Sequence, residues 1–209
     1  MNTDGYPAIR SYEWVNAYTL ELELPDTRLR LCFKEAGIIR CRYVVSAVFE
    51  KIPSYGVAPE YTPTPPEVSE TEYPEHYEIS TPRLTVRIRK EDAGLEFYDR
   101  YSHRLLCADA EGMGHRLQER TGDHLVWVLK HMPEQAHFFG LGDKPCALNL
   151  RGRRHEMWGS DAYKFTPESD PLYKSIPFFL CLNNGAQYGI FFDNTMRCYF
   201  DFGKEREDR

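Results

Sequence analysis

Short tracts in which apolar and polar residues strictly alternate recur along this chain, and they constrain its fold more than any other feature. In Val15 to Leu24 (VNAYTLELEL), Tyr18, Leu20, Leu22 and Leu24 share one face while Thr19, Glu21 and Glu23 take the other. A period of two buries one face of a β-strand and wets its reverse, whereas a helix would need a period near 3.6. Pro25-Asp26-Thr27 makes a turn, and Arg28 to Lys34 (RLRLCFK) repeats the pattern with Leu29, Leu31 and Phe33 inward, so a hairpin is predicted. Past Gly37, Ile39, Cys41, Tyr43 and Val45 oppose Arg40 and Arg42 and predict a third strand. Arg83 to Lys90 (RLTVRIRK) sets Leu84, Val86 and Ile88 against Arg83, Thr85, Arg87 and Arg89. Glu91-Asp92-Ala93-Gly94 then turns into Leu95 to Asp99, with a further hairpin around Leu105 to Ala108.

Other tracts are apolar on both faces. His124 to Met132 (HLVWVLKHM) is predicted as a strand covered on both sides. Pro177 to Asn183 (PFFLCLN) and Tyr188 to Asp193 (YGIFFD), joined by Asn183-Asn184-Gly185-Ala186, are predicted as a buried hairpin. Arg197 to Phe202 (RCYFDF) begins one more strand. No convincing helical period exceeds about two turns, and 14 prolines, 14 glycines, 14 tyrosines and 12 phenylalanines favour strands and turns. About ten to thirteen short antiparallel strands imply an all-β sandwich, read here as a single domain over residues 1–209.

Two stretches break the alternation. Residues 52–82 carry Pro53, Pro59, Pro63, Pro65, Pro66, Pro74 and Pro82 and are expected to form an extended connection without ladder bonds. From Phe138 to Leu180 no period lasts, so residues 138–177 are predicted to form a long structured loop. Connections longer than about 12–15 residues inside a compact domain are usually functional, which makes this loop the candidate site.

Composition excludes several chemistries. A net charge of −6 without a basic face argues against a nucleic-acid partner. No apolar run of about 18 residues suggests a membrane span, and MNTDGYPAIRSYEW lacks the order of a secretory signal, so a cytoplasmic protein is expected if Met1 is the native start. The six cysteines form no CxxC pair and read as reduced thiols. Seven histidines make no HExxH or Cys/His knuckle, so no metal or other cofactor is expected, and without a GxSxG elbow a serine triad is not indicated. Trp158, Asp161, Tyr163 and Phe165 do combine aromatic faces with a carboxylate in one loop. Sugars offer C–H faces that stack on rings and hydroxyls that need such partners. The same rings could equally anchor the loop to the sandwich.

One ordered series of blocks goes further. Gly140-Leu141-Gly142-Asp143, Leu148-Asn149-Leu150-Arg151-Gly152, Trp158 followed by Asp161, and Asp170-Pro171-Leu172-Tyr173-Lys174-Ser175-Ile176-Pro177-Phe178-Phe179 together resemble the N-terminal domain of family 31 glycoside hydrolases, the α-glucosidase and α-xylosidase group. The resemblance implies a galactose-mutarotase-like β-sandwich preceding a (β/α)₈ barrel. It also implies retaining hydrolysis of α-linked gluco-oligosaccharides by two barrel aspartates, which in such enzymes stand about 5–5.5 Å apart. This chain of strands leaves no room for a barrel of about 250 residues, so it is expected to hold no catalytic residue and to be inactive alone. Its partners would be an α-glucoside oligosaccharide and the barrel of the same polypeptide. By the same resemblance Asp161 would contact the sugar, with Tyr163 as a second contact beside Trp158. Gly159 and Asp143 depart from the family's usual asparagine and glutamate. The alternative is a free-standing carbohydrate-binding β-sandwich module.

Overall fold

A computed structural model describes residues 8–45, 48–49 and 53–209. Among them are sixteen β-strands and no helix, and every ladder is antiparallel. Contacts divide the chain into two compact units: the described parts of Met1–Ile52 with Glu60–Lys130, and Pro53–Pro59 with His131–Arg209.

The first unit opens with β1 (Ser11–Asn16), β2 (Thr19–Glu23), β3 (Arg28–Glu35) and β4 (Ile38–Val44), which pair in that order. A second sheet runs β5 (Ser69–Glu72), β6 (His76–Ser80), β7 (Leu84–Arg89), β8 (Leu95–Asp99) and β9 (Leu105–Ala108). A separate hairpin pairs β10 (Gly114–Leu117) with β11 (His124–Trp127). Leu20, Leu22, Leu29, Leu31 and Phe33 from the first sheet meet Ile79, Val86, Ile88 and Leu95 from the second in one buried cluster. These are the inward positions that alternation marks, and burying each such side chain is worth about 1.5–3 kcal/mol. The opposite positions carry charge, placed so that cross-strand partners face each other. Glu21 lies opposite Arg30 and pairs with it, and Glu78 lies opposite Arg87, with 2.9 Å between their charged atoms.

Three expectations change here. VNAYTLELEL is two strands rather than one, because Asn16 Oδ1 accepts a hydrogen bond from the Tyr18 N–H (3.1 Å) and turns the chain at Ala17-Tyr18. Tyr18 is consequently exposed instead of inward. The connection expected over residues 52–82 ends early. Ile52 lies outside the described residues, and β5 and β6 form a ladder between the proline clusters, with Pro74 in their turn. The strand within HLVWVLKHM is only four residues long and leaves Leu125 and Val126 exposed.

The second unit contains β12 (His137–Gly140), β13 (Arg154–Met157), β14 (Phe178–Asn183), β15 (Ala186–Phe191) and β16 (Cys198–Asp201). One sheet has the order β12-β14-β15, and β13 pairs with β16. Asn184 and Gly185 join β14 to β15 with φ of 45° and 82°, the double left-handed conformation of a tight hairpin that Asn-Gly satisfies. Phe138, Leu141, Leu150, Met157, Phe179, Cys181, Phe200 and Phe202 form the core. The Phe138 and Phe202 rings stack at 4.6 Å, and Phe179 meets Phe202 edge-on at 5.2 Å.

The β14–β15 hairpin is buried on one face only, which corrects the expectation of a fully buried hairpin. Phe179 and Cys181 point into the core, while Phe178, Leu180 and Leu182 are exposed. None of the six cysteines is in a disulfide, and Cys41, expected inward, is exposed.

Candidate functional site

The stretch read as one loop over residues 138–177 is divided by β13, a strand whose short Arg-His-Glu-Met pattern hides its inward residues His155 and Met157. What remains is a first segment over 141–153 and a second over 158–177. Each is fastened by backbone geometry before any side chain enters.

The first segment starts at Gly140-Leu141-Gly142, where φ takes the values 127°, 63° and 77°. A Cβ at position 140 would stand 2.5 Å from the Phe178 carbonyl oxygen, so glycine is required there for the close approach. Leu141, fully buried, donates its N–H to the same carbonyl at 2.8 Å. Further on, Asn149 Oδ1 accepts from the N–H groups of Phe138 (3.1 Å) and Arg151 (3.2 Å). The Arg151 guanidinium donates to the carbonyls of Pro133 (2.8 Å) and Ala136 (3.1 Å). The Leu148-to-Gly152 block is therefore a structural clamp.

The second segment is fixed by a partly buried polar knot. Lys144, whose side chain is only 3% exposed, pairs with Asp170 and donates to the Glu156 carbonyl at 3.0 Å. Asp170 also accepts from the Glu156 N–H at 2.6 Å. One lysine and one aspartate thus join the first segment, β13 and the end of the second. His155 lies beside them with Nδ1 3.8 Å from Asp170, and neither of its ring nitrogens has a hydrogen-bond partner among the described residues. Burial, reinforced by Lys144 and Arg153 against the opposing pull of Asp170, holds this imidazole below its ordinary pKa. Outside the knot, Ser160 donates its N–H to the Leu172 carbonyl at 2.8 Å, and the Tyr173 hydroxyl donates to the Ala162 carbonyl at 2.6 Å. Asp143 pairs with Lys174 at 2.8 Å across the two segments.

On this frame the three residues singled out in the sequence lie together on one exposed loop. Trp158 is 43% exposed and Tyr163 85%. The Arg197 guanidinium lies 4.8 Å from the centre of the Trp158 ring and is itself tied to Glu156 at 3.2 Å. Lys164 Nζ stands 5.3 Å from the Tyr163 ring. The Asp161 carboxylate is exposed and makes no hydrogen bond or ion pair with the described residues. Neither Trp158 nor Phe165 is a buried anchor; that role falls to Leu172, which is 3% exposed. Sequence reasoning did not single out Lys144, His155 or Arg197. A solitary Lys, His or Arg in an aperiodic stretch carries no pattern, whereas Asp170 and Leu172 sat inside a quoted block.

A family profile described as the glycosyl hydrolase 31 N-terminal galactose mutarotase-like domain matches residues 28–201. The chain belongs to this family. Its fold is accordingly the galactose-mutarotase-like β-sandwich, and the match spans both compact units. The chain is 33% identical over 177 residues to alpha-glucosidase 2 of Bacillus thermoamyloliquefaciens, covering 80% of this chain and 22% of that protein. It is 36% identical over 84 residues to an alpha-glucosidase of Saccharolobus solfataricus, 40% of this chain and 12% of the relative. Among solved structures, a GH31 dextranase of Flavobacterium johnsoniae in complex with isomaltotriose superposes with a TM-score of 0.82 at 29% identity, covering 98% of this chain and 24% of that one. The chain thus spans about a quarter or less of the length of these relatives.

Proposed function

We propose that this chain is the non-catalytic N-terminal domain of a retaining α-glucosidase-type enzyme acting on α-linked gluco-oligosaccharides, and that its Trp158-to-Tyr163 loop caps the barrel and contributes to the substrate pocket. The observation that carries this reading is the contrast within the loop. Asp170 is consumed by Lys144 and the Glu156 N–H, whereas Asp161, on the same loop, is exposed and unengaged. A rigid base under a free carboxylate suits a group that orients a sugar hydroxyl, because little freedom is lost when substrate arrives. Such a carboxylate cannot by itself both protonate a leaving group and receive a glycosyl cation, so the chemistry belongs to the barrel. In this reading Trp158 supplies a stacking face and Tyr163 a second polar contact. The enzyme works without a cofactor, in the cytoplasm.

The test uses the full-length polypeptide. Asp161→Ala removes one charge-assisted hydrogen bond, a loss of about 1.5–3 kcal/mol, and lowers kcat/KM on isomaltose or maltose by roughly 10- to 150-fold. Thermal stability should stay unchanged, since the side chain is exposed. Hydrolysis by the 209 residues alone, once host enzyme is excluded, overturns the assignment of chemistry to the barrel. Millimolar or tighter isomaltose binding by those residues in calorimetry favours a self-sufficient binding module instead.

A further inference from the structure

The tip of the candidate loop, residues 161–165, hangs between two tied ends. Before it, the Ser160 N–H donates to the Leu172 carbonyl at 2.8 Å. After it, the Thr166 N–H donates to Ser169 Oγ at 2.8 Å, and the Ser169 N–H donates back to the Thr166 carbonyl at 3.0 Å. No residue of the tip is buried, and Tyr163, Lys164 and Phe165 all face solvent, so packing alone does not fix its path. Tyr173 holds it at two points. Its hydroxyl donates to the Ala162 carbonyl at 2.6 Å, and its ring meets that of Phe165 edge-on, 6.4 Å apart at 82°. Tyr173 is in turn seated by its neighbour Leu172, whose side chain is buried and whose carbonyl is the one that accepts from Ser160. Asp161 therefore stands between two anchored residues, Ser160 and Ala162, and the freedom left to its carboxylate is that of its own side chain.

We propose that Tyr173 is a positioning residue for sugar binding, whose hydroxyl holds the loop at Ala162 so that the Asp161 carboxylate is already placed when substrate arrives. The inference rests on the functional reading above, in which Asp161 orients a sugar hydroxyl, and it names the residue that readies the carboxylate for that role. The phenolic oxygen is the informative atom. Phenylalanine at position 173 would keep the edge-on contact with Phe165, so what the oxygen adds is the bond to the Ala162 carbonyl. That bond joins two chain segments at the half-exposed surface, away from the core of this unit, and contributes little to the stability of the fold. Its value lies in preorganisation. A carboxylate on a loop that is already ordered loses less freedom on binding, and a small misplacement of a substrate-positioning group lowers the rate out of proportion to its size.

The test is a double-mutant cycle in the full-length polypeptide, with Tyr173→Phe and Asp161→Ala made singly and together and assayed on isomaltose. Tyr173→Phe alone should lower kcat/KM by about 2- to 10-fold, the ratio that one neutral hydrogen bond supplies, chiefly through a raised KM. In the Asp161→Ala background the same change should alter kcat/KM by less than about 1.5-fold, because no carboxylate is left to position. In the 209-residue chain, Tyr173→Phe should leave the melting temperature unchanged while the backbone amide resonances of Asp161, Ala162 and Tyr163 broaden. Equal losses in both backgrounds overturn the inference, since the phenol then acts on the sugar directly or through another residue. So does a melting temperature that falls by several degrees with the resonances unmoved, which would make Tyr173 a residue of the fold alone. If Asp161→Ala impairs the enzyme while Tyr173→Phe does not, the inference fails and the functional reading stands. Asp161→Ala with unaltered kinetics overturns the functional reading itself and the inference with it.

Discussion

The two units of this protein solve the same problem with opposite surfaces. In the first, β2, β3 and β7 turn leucine, isoleucine or phenylalanine inward and set charge outward in register. Arg87 lies opposite both Glu78 and Glu96, and its guanidinium stands 4.7 Å from the centre of the Tyr98 ring. In the second, β14 turns Phe179 and Cys181 inward and Phe178, Leu180 and Leu182 outward. A face laced with cross-strand ion pairs is finished against water, where each such pair is worth only about 0–1 kcal/mol. An apolar face with no charge lacks that finish.

The comparison breaks most visibly by truncation of one leucine or phenylalanine on each surface. Phe33, fully buried in the first unit, should cost about 3–5 kcal/mol on replacement by alanine, through lost burial and the cavity left behind. Leu180→Ala, on the outer face of β14, should change the stability of this chain by less than about 0.5 kcal/mol. Urea denaturation of the two variants checks the contrast. Comparable losses would mean that the outer face of β14 is already covered.

A somewhat smaller loss is expected from the knot under the candidate loop. Asp170→Asn leaves the Lys144 ammonium, 3% exposed, without its counter-charge. Because Asp170 is only partly buried and Lys144 keeps the Glu156 carbonyl, the loss should be about 1.5–3 kcal/mol. Chemical denaturation should register that loss in the second unit, and proteolysis between Trp158 and Ser169 should quicken. A rigid loop in the variant would show that the backbone clamps at Leu141 and Asn149 suffice.

How far these contrasts were legible in the sequence depends on how local the physics is. The sandwich core of the first unit was readable at Leu20, Leu22, Leu29, Leu31, Phe33, Val86 and Ile88, because alternation reports burial directly. The turn at Ala17-Tyr18 was not, because Asn16 acts through a side-chain bond to the backbone that leaves the hydrophobic rhythm untouched. Over-reading went the other way in PFFLCLN and HLVWVLKHM. A doubly apolar strand states what it needs, not what this stretch of polypeptide supplies. The loop was found by its lack of period, and Trp158, Asp161 and Tyr163 by their types and by the family blocks around them. The Lys144–Asp170 pair brings together residues 26 positions apart in sequence, and no periodicity carries that information.

The units should also part company in acid, by an effect smaller than either substitution. Burial works against ionisation of Asp92 in the first unit, but Arg89 at 2.7 Å and the N–H groups of Gly94 and Gly112 outweigh it and hold the carboxyl below its ordinary pKa. The folded state then favours the carboxylate, so this contribution is complete above about pH 3.9 and is lost as pH falls through the lowered value. His155 in the second unit is also lowered, and for an imidazole this means that the folded state favours the neutral form. Its contribution is complete above about pH 6.5 and is lost as pH falls through its own lowered value. Thermal melts at descending pH should show the second unit losing stability first, and His155→Gln should flatten the decline just below pH 6.5 while leaving the strongly acid limb intact. An unchanged decline would assign the sensitivity elsewhere.

The smallest effect bears most directly on the candidate site. Trp158 has two ring faces, and one of them lies under the Arg197 guanidinium, itself held by Glu156. An exposed cation–π contact contributes about 0.5–1 kcal/mol, so Arg197→Met should scarcely move the melting temperature of this chain. The indole N–H resonance of Trp158 should nevertheless shift and broaden, because the ring loses the contact that fixes its rotamer. In the full-length enzyme the same variant should raise KM several-fold with little change in kcat if the free face of Trp158 stacks on the sugar, since a mobile ring must be ordered again at each binding event. If the resonance broadens while KM is unchanged, Trp158 belongs to the frame of the loop, and Asp161 would have to orient the sugar without it.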